Sequence, residues 1–281
     1  MQGDKLLLSV VTVTYNAKNT IISTLESILN QRSYENKLNI ELIVVDGKST
    51  DDTVEIVESI KDSFDRKNIS LHIVSEPDDG IYFAMNKGIK IARGDWVYLL
   101  NSGDYFYDSL VLCDLIDYFF NPSYSIICGG YCRKNRYIEE RIKVAELKNL
   151  KTGMVYCHQA IFVRKEIYEK KCYDTKYRLD ADYFFIASCY LDGINLITVD
   201  RCIVVYDLAG ETAKNMLEAY KESYEIRKNL GVITNAKANY LRYLIGCLKR
   251  RILALFPQYL RWYIYKIHKG KNIKKWDSKR I

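Results

Sequence analysis

The stretch GDWVYLLNSGD, residues 94–104, reads as a strand that ends abruptly. Trp96, Val97, Tyr98, Leu99 and Leu100 are apolar without alternation, the pattern of a strand buried on both faces. Asn101, Ser102, Gly103 and Asp104 follow, small and polar, with one carboxylate among them. A strand covered on both faces belongs to a parallel sheet with helices above and below. The flanking sequence must then alternate strands with helices.

It does. LLLSVVTV (6–13), IELIVV (40–45) and LHIV (71–74) read as three earlier strands. Between them, TIISTLESILNQ (20–31) places Ile21, Ile22, Leu25, Ile28 and Leu29 at helical spacing, with Asn19 or Thr20 as cap. STDDTVEIVESIKD (49–62) opens on cap residues and acids before its own helical period. IYFAMNKGIKIA (81–92) reads as a third helix, ended by Gly94. The alternation predicts an α/β fold with a mostly parallel, Rossmann-like central sheet flanked by helices. Beyond it the spacing predicts a helix over 108–120, a strand at 125–130, a less regular stretch to about 165, a helix over 179–193, a strand at 195–199 and a helix over 212–230 closed by Gly231. This second half should complete the sheet and form the other wall of a groove.

A chain of 281 residues, 48% of them hydrophobic, suits one large domain with an appendage. The 24 tyrosines against nine phenylalanines suit a polar groove or an ordinary core. Eight cysteines are scattered without metal-knuckle spacing and are expected as free thiols of a reducing cytoplasm. LLLSVVTV is too short and β-branched for a secretory signal, and no apolar run reaches the roughly 18 residues of a membrane span. The net charge of +7 is unevenly spread. Residues 241–281 hold 12 Lys and Arg against one acid, a net of +11, which leaves the first 240 residues at −4.

Ligands of an open parallel sheet lie beyond the carboxyl ends of its strands. Those ends carry Thr14, Tyr15 and Asn16; Asp46 and Gly47; Glu76, Asp78 and Asp79; and Asn101, Ser102 and Asp104. No G-x-G-x-x-G follows the first strand and no P-loop is present, so neither dinucleotide nor P-loop chemistry is expected. An acidic pocket that receives a phosphorylated ligand needs a hard divalent cation, Mg²⁺ or Mn²⁺, between the two.

SVVTVTYNAKNTIISTLESILNQ, ELIVVDGKSTDDT, SEPDDGIYFAMNKGI and GDWVYLLNSGD, in this order and spacing, resemble family 2 glycosyltransferases of the GT-A fold. CHQAIFVRKEIY and YRLDADYFF resemble the branch that builds bacterial surface polysaccharides, including colanic-acid-type enzymes. The likeness covers about residues 6–210. It implies that Thr14, Tyr15, Asn16 and Asp46 hold the nucleoside, although DGKSTDDT is equally a good capping segment. It matches Ser102, Gly103 and Asp104 to an Asp-x-Asp-like element of which only the last acid is present, so Asp104 would bind the cation beside Asn101 and Ser102. The triplet alone also reads as a turn before a helix. The likeness favours Asp182 as the base that deprotonates the acceptor hydroxyl, with Asp180 as fallback. An Asp at a helix start is by itself an ordinary charge there. Glu76, Asp79, Asn86, Lys87 and His158 would border the donor. Two positions depart from the family: Phe83, where GIYDAMNKG is common, and Phe184, where ADYD is common. They touch the carry-over of donor-sugar contacts or the local packing.

The resemblance thus implies an inverting, metal-dependent transferase that moves a sugar, by default from a UDP-sugar, to a growing glycan on a polyprenyl diphosphate. The domain would span 1–232, with a nucleotide-binding half to about 105 and an acceptor half to 232, followed by an extension over 233–281. In that tail, Arg242, Lys249, Arg250, Arg251, Arg261 and Lys266 interleave with Leu244, Ile245, Leu248, Leu253, Phe256, Leu260, Trp262 and Ile264. This predicts two amphipathic helices broken near Pro257 and seated on an anionic membrane, at the inner face of the cytoplasmic membrane. Packing on the domain or in a homodimer is the other reading; no nucleic-acid partner is expected. Two further functions stay open: a non-catalytic nucleotide- or sugar-binding module, which the two Phe replacements permit, and a sugar nucleotidyltransferase, for which TYNAKNT lacks the glycine- and arginine-rich loop.

Overall fold

A computed structural model describes residues 6–32, 38–134, 139–142, 147–151, 153–207, 215–233, 236–257 and 260. Strands β1 (Leu6–Thr14), β2 (Leu38–Asp46), β3 (Ser70–Ser75) and β4 (Trp96–Leu99) pair in parallel in the order 3-2-1-4. The chain steps outward from β1 to β2 to β3, then returns past β1 to β4. The carboxyl ends of β1 and β4 therefore flank the switch point of the sheet, where ligands of such folds bind.

Right-handed crossovers put helices on opposite faces when the direction of travel reverses. Helices α1 (Ile21–Leu29), α2 (Thr53–Ser59) and α3 (Lys61–Arg66) cover one face, packing Leu25, Ile28, Val57 and Phe64 against Leu8, Val10, Leu42, Trp96 and Tyr98. Helix α4 (Ile81–Ile91) covers the other, packing Met85 and Ile89 against Val11, Val13, Ile43, Val45, Val97 and Leu99. Alternate residues of β4 thus enter different cores, which is why Trp96–Leu99 is apolar throughout. α4 lies unusually close to the sheet at Gly88, where a Cβ would sit 2.3 Å from Val11 Cγ1.

The second half departs from the sequence reading. The strands are β5 (Tyr105–Phe106), β6 (Ile126–Lys134), β7 (Glu139–Ile142), β8 (Ile161–Arg164) and β9 (Leu196–Asp207). They extend the sheet beyond β4 as β8-β6-β9-β5, with β7 on β6. β8 enters antiparallel between β4 and β6, while the longer β6–β9 ladder is parallel. Three strands were thus unforeseen, because each has only two to four residues and shows too little period. The helix expected over 49–62 is split at Ile60, and that over 108–120 is two turns, α5 (Val111–Asp114) and α6 (Ile116–Phe120). Thr20 occupies the cap position of α1 but makes no side-chain cap bond.

After α7 (Lys165–Lys170) and α8 (Ala181–Leu191) come two longer helices, Met216–Asn229 and Ala236–Ala254. The first ends, as its glycine predicts, just before Gly231 at φ +67°. Its Glu222 accepts backbone N–H bonds from Arg178, Leu179 and Asp180 at 3.0, 2.7 and 2.7 Å. The second helix stops before Pro257; the tail helix expected beyond that proline lies outside the described residues, apart from Leu260.

Candidate active site

Thr14, Asp46 and Ser75 lie in register at the ends of β1, β2 and β3. Asp46 is fully buried, at 0% exposure. Its carboxylate accepts hydrogen bonds from Ser49 N at 2.9 Å, from Ser75 Oγ at 2.6 Å and from Ser49 Oγ. It fixes the turn through Lys48, which has φ +65°. The turn in turn holds the loop after β1: Asn16 N donates to Ser49 Oγ, and Asn16 Oδ1 accepts from Thr50 N, both at 2.8 Å. Tyr15 is left 63% exposed, while Thr14 Oγ1 is buried without a hydrogen-bond partner among the described residues. Of the four residues predicted to hold a nucleoside, Tyr15 and Asn16 stand at the surface; Asp46 is buried and bonds the Ser49 turn that holds their loop.

Below α4, Glu76 pairs with Lys87 at 2.9 Å, and Lys87 Nζ also donates to Pro77 O at 2.9 Å. Asp79 is exposed. The Asn86 side chain donates to Tyr173 O and accepts from Tyr173 N, which ties α4 to the second half. Phe83 is 38% exposed, so it is no core residue. Phe184 instead packs on Tyr177, with ring centroids 4.9 Å apart.

At the end of β4 the chain turns through Gly103, at φ +94°. Thr24 of α1 braces this turn, donating to Asp104 O at 2.7 Å and accepting from Gly103 N at 2.9 Å. Asp104 is only 7% exposed, and its Oδ2 accepts from Gln159 Nε2 at 2.9 Å. Tyr98 of β4 holds the Gln159 carbonyl at 2.6 Å, and the Cys157 thiol donates to Gln159 Oε1 at 2.6 Å. Burial, with Asp104 nearby, pushes the Cys157 thiol well up, so it stays protonated and fixes which end of the amide faces Asp104.

His158 joins this strand end to α8. Its Nδ1 lies 3.1 Å from Asp182 Oδ2, and its Nε2 lies 3.2 Å from Asn101 Nδ2. With the proton on Nδ1, the ring donates to the carboxylate and its Nε2 accepts from the amide. Asn101 Oδ1 then remains buried without a hydrogen-bond partner among the described residues. Asp182, 14% exposed, also accepts at Oδ1 from Tyr82 OH and Tyr183 N, each at 2.9 Å. Burial works to raise its pKa, but the His158, Tyr82 and Tyr183 donors outweigh it and hold the carboxyl below its usual range. Asp180 goes the other way. Burial, then the charges of Asp182 and Glu222, push it up to about 8. Two neighbouring carboxyls are thereby set to opposite protonation states near neutrality.

The family profile described as glycosyl transferase family 2 matches residues 9–178. The chain belongs to glycosyl transferase family 2. A PGL/p-HBAD biosynthesis glycosyltransferase of Mycobacterium bovis is 28% identical over 187 residues, 66% of this chain and 70% of that one. The Escherichia coli UDP-Glc:alpha-D-GlcNAc-diphosphoundecaprenol beta-1,3-glucosyltransferase WfaP is 40% identical over 99 residues, 35% of this chain and 36% of that one. Among solved structures, the mannosyltransferase PcManGT from Pyrobaculum calidifontis, in complex with GDP-Man and Mn2+, superposes with a TM-score of 0.66 at 15% identity, covering 97% of this chain and 82% of that one. The fold is therefore the GT-A fold that the family resemblance implies.

Among the described residues of this glycosyltransferase, no three His, Cys, Asp or Glu side chains gather as a complete metal cage. What the end of β4 offers is the Asp104 carboxylate and the orphaned Asn101 Oδ1, both hard oxygen donors. That set fits a Mg²⁺- or Mn²⁺-sized ion whose remaining ligands come from phosphates and water. Gln159, Tyr82, Ser49 and Ser75 are the contributors the sequence reading missed. Gln159 had a signal, since it follows His158 in CHQAIF; Ser49 had none, being an ordinary loop residue, and Ser75 ends a strand that was read only as far as residue 74.

Proposed function

We propose that this family 2 enzyme is an inverting hexosyltransferase that uses a divalent cation and a nucleotide-sugar, by default a UDP-sugar, to extend a glycan carried on a polyprenyl diphosphate. The observation that carries the reading is the chain Asn101–His158–Asp182, which couples the end of β4 to an ionised carboxylate at the start of α8. WfaP, whose name specifies UDP-Glc and a diphosphoundecaprenol acceptor, supports the donor and acceptor classes.

In this reading Tyr15, Asn16 and the orphaned Thr14 hydroxyl receive the nucleoside, with Asp46 positioning their loop. Ser102, Glu76, Asp79 and Lys87 border the donor, and the ammonium of Lys87 faces phosphate charge. Asp104 and Asn101 would hold the cation, which when bound neutralises charge on the departing diphosphate. Asp182, already ionised, accepts the proton of the acceptor hydroxyl as that oxygen attacks the anomeric carbon from the face opposite the leaving group. The displacement is a single step, so no glycosyl–enzyme bond forms. Asp180 carries its proton near neutrality and serves worse as the base. Residues 1–105 form the nucleotide half, 106–232 the acceptor half and 233–281 the extension, with catalysis at the inner face of the cytoplasmic membrane.

The test is release of nucleoside diphosphate from a panel of nucleotide-sugars with a polyprenyl-diphosphate-linked acceptor, with and without Mn²⁺. Asp182→Asn and Asp104→Ala should each lose at least about a hundredfold in kcat. Asp182→Asn should keep donor binding, seen as ligand-induced thermal stabilisation. Full turnover by both variants would overturn the mechanism.

A further inference from the structure

We infer that the outward face of the helix Ala236–Ala254 is a docking surface for an anionic lipid bilayer. The inference does not depend on sugar transfer. Leu241, Leu244, Ile245, Leu248 and Ile252, with Leu255 just past the helix end, are each 44–83% exposed. At about 3.6 residues per turn these six side chains fall within an arc of about 100°. The opposite face is occupied. Tyr243 stacks on Tyr224 and Tyr220 of the preceding helix, with centroids 4.4 and 5.9 Å apart, and Gly246 lies so close that a Cβ would meet the Tyr220 ring at 2.4 Å. The apolar stripe is therefore not the side that joins the helix to the protein.

Charge selects the occupant. Arg242 and Lys249 flank the stripe on one side and Arg251 on the other, and the helix sequence contains no acid. Residues 241–281 as a whole carry a net charge of +11. A second copy docked face to face would set these cations against themselves. An anionic headgroup layer neutralises them while its acyl boundary takes the leucines and isoleucines. No helix among the described residues is long and apolar enough to cross a membrane, so the helix lies in the interface plane. The surface is also one helix away from the catalytic segment. The preceding helix packs on it through the tyrosines and, through Glu222, holds the backbone of 178–180, next to Asp182. Docking here brings the acceptor half against the membrane.

The experiment is flotation of the full chain with vesicles of phosphatidylcholine alone and of phosphatidylcholine with 30–40% phosphatidylglycerol, roughly a bacterial inner-leaflet charge. Binding should rise at least about tenfold with the anionic lipid and fall with salt. The double variant Leu244→Glu, Leu248→Glu should lose about tenfold of that binding or more while keeping its circular dichroism and its thermal stabilisation by nucleotide-sugar. Three results overturn the inference: no binding to anionic vesicles at low salt, equal binding by the double variant, or a wild-type dimer that the double variant converts to monomer without any vesicle binding.

Discussion

At the residue scale, the site is governed by who holds each carboxylate. Asp182 is kept ionised by donors from three different segments: Tyr82, His158 and its neighbour's N–H. Tyr82→Phe removes one of them. A hydrogen bond to a charged group contributes about 1.5–3 kcal/mol, and one pKa unit corresponds to about 1.4 kcal/mol. The acid limb of kcat/KM against pH should therefore move to higher pH by about one to two units. An unmoved limb would show that Tyr82 only packs. Gln159→Leu leaves Asp104 Oδ2 without its amide donor. The Mn²⁺ concentration for half-maximal activity should change by about tenfold or more, with secondary structure intact.

At the element scale, α4 decides whether the two halves meet correctly. It is seated on β1 through Gly88 and tied to the second half through Asn86 and Tyr82. Gly88→Val would place a side chain where Val11 Cγ1 already sits, 2.3 Å from the new Cβ. Overpacking of this kind costs about 1–3 kcal/mol. Urea denaturation should show an unfolding free energy lower by that amount, with an earlier midpoint, and activity should fall with it because α4 carries Tyr82 and Lys87. The split of the expected 49–62 helix into α2 and α3 has a lesser consequence, since both pieces still bury Val57 and Phe64 in the same core.

At the scale of the whole molecule, the contact between the Met216–Asn229 helix and the 178–180 segment sets a pH dependence of stability. Asp180 has a folded pKa of about 8 against an ordinary value of 3.8, so between these values the folded chain keeps a proton that the unfolded chain has released. Its contribution is complete below the ordinary value and fades as pH rises towards about 8. Asp180→Asn removes this dependence. The difference in Tm between variant and wild type should shift in favour of the variant on going from pH 5 to pH 8.5, a range that brackets most of that titration. A constant difference would mean that Asp180 is ionised throughout.

Much of this was written in the chain itself. The non-alternating runs of β1, β2 and β4 and the helical spacing of 21–29 and 81–91 specify a sandwiched parallel sheet, because only a strand covered on both faces can be apolar at every position. The same reading locates Thr14–Asn16, Asp46 and Asn101–Asp104, because polar residues that terminate such strands must lie at their carboxyl ends. Tertiary structure alone decided the rest. Strands of two to four residues such as β5 and β8 take their shape from the sheet that receives them, not from local preference. Asn86, expected beside the donor, finds Tyr173 as its partner only because the fold brings the two together across 87 positions of chain. Asp180 and Asp182 are chemically identical and two positions apart, yet one is raised and the other lowered. Burial works to raise both. Asp180 is raised further by the charge of Asp182 and then of Glu222, whereas Asp182 is brought down chiefly by His158 and Tyr82. His158, Tyr82 and Glu222 lie at least 22 positions away in the chain and meet these carboxyls only in the folded protein. A local pattern sets which face a residue takes; protonation depends on neighbours that only folding supplies.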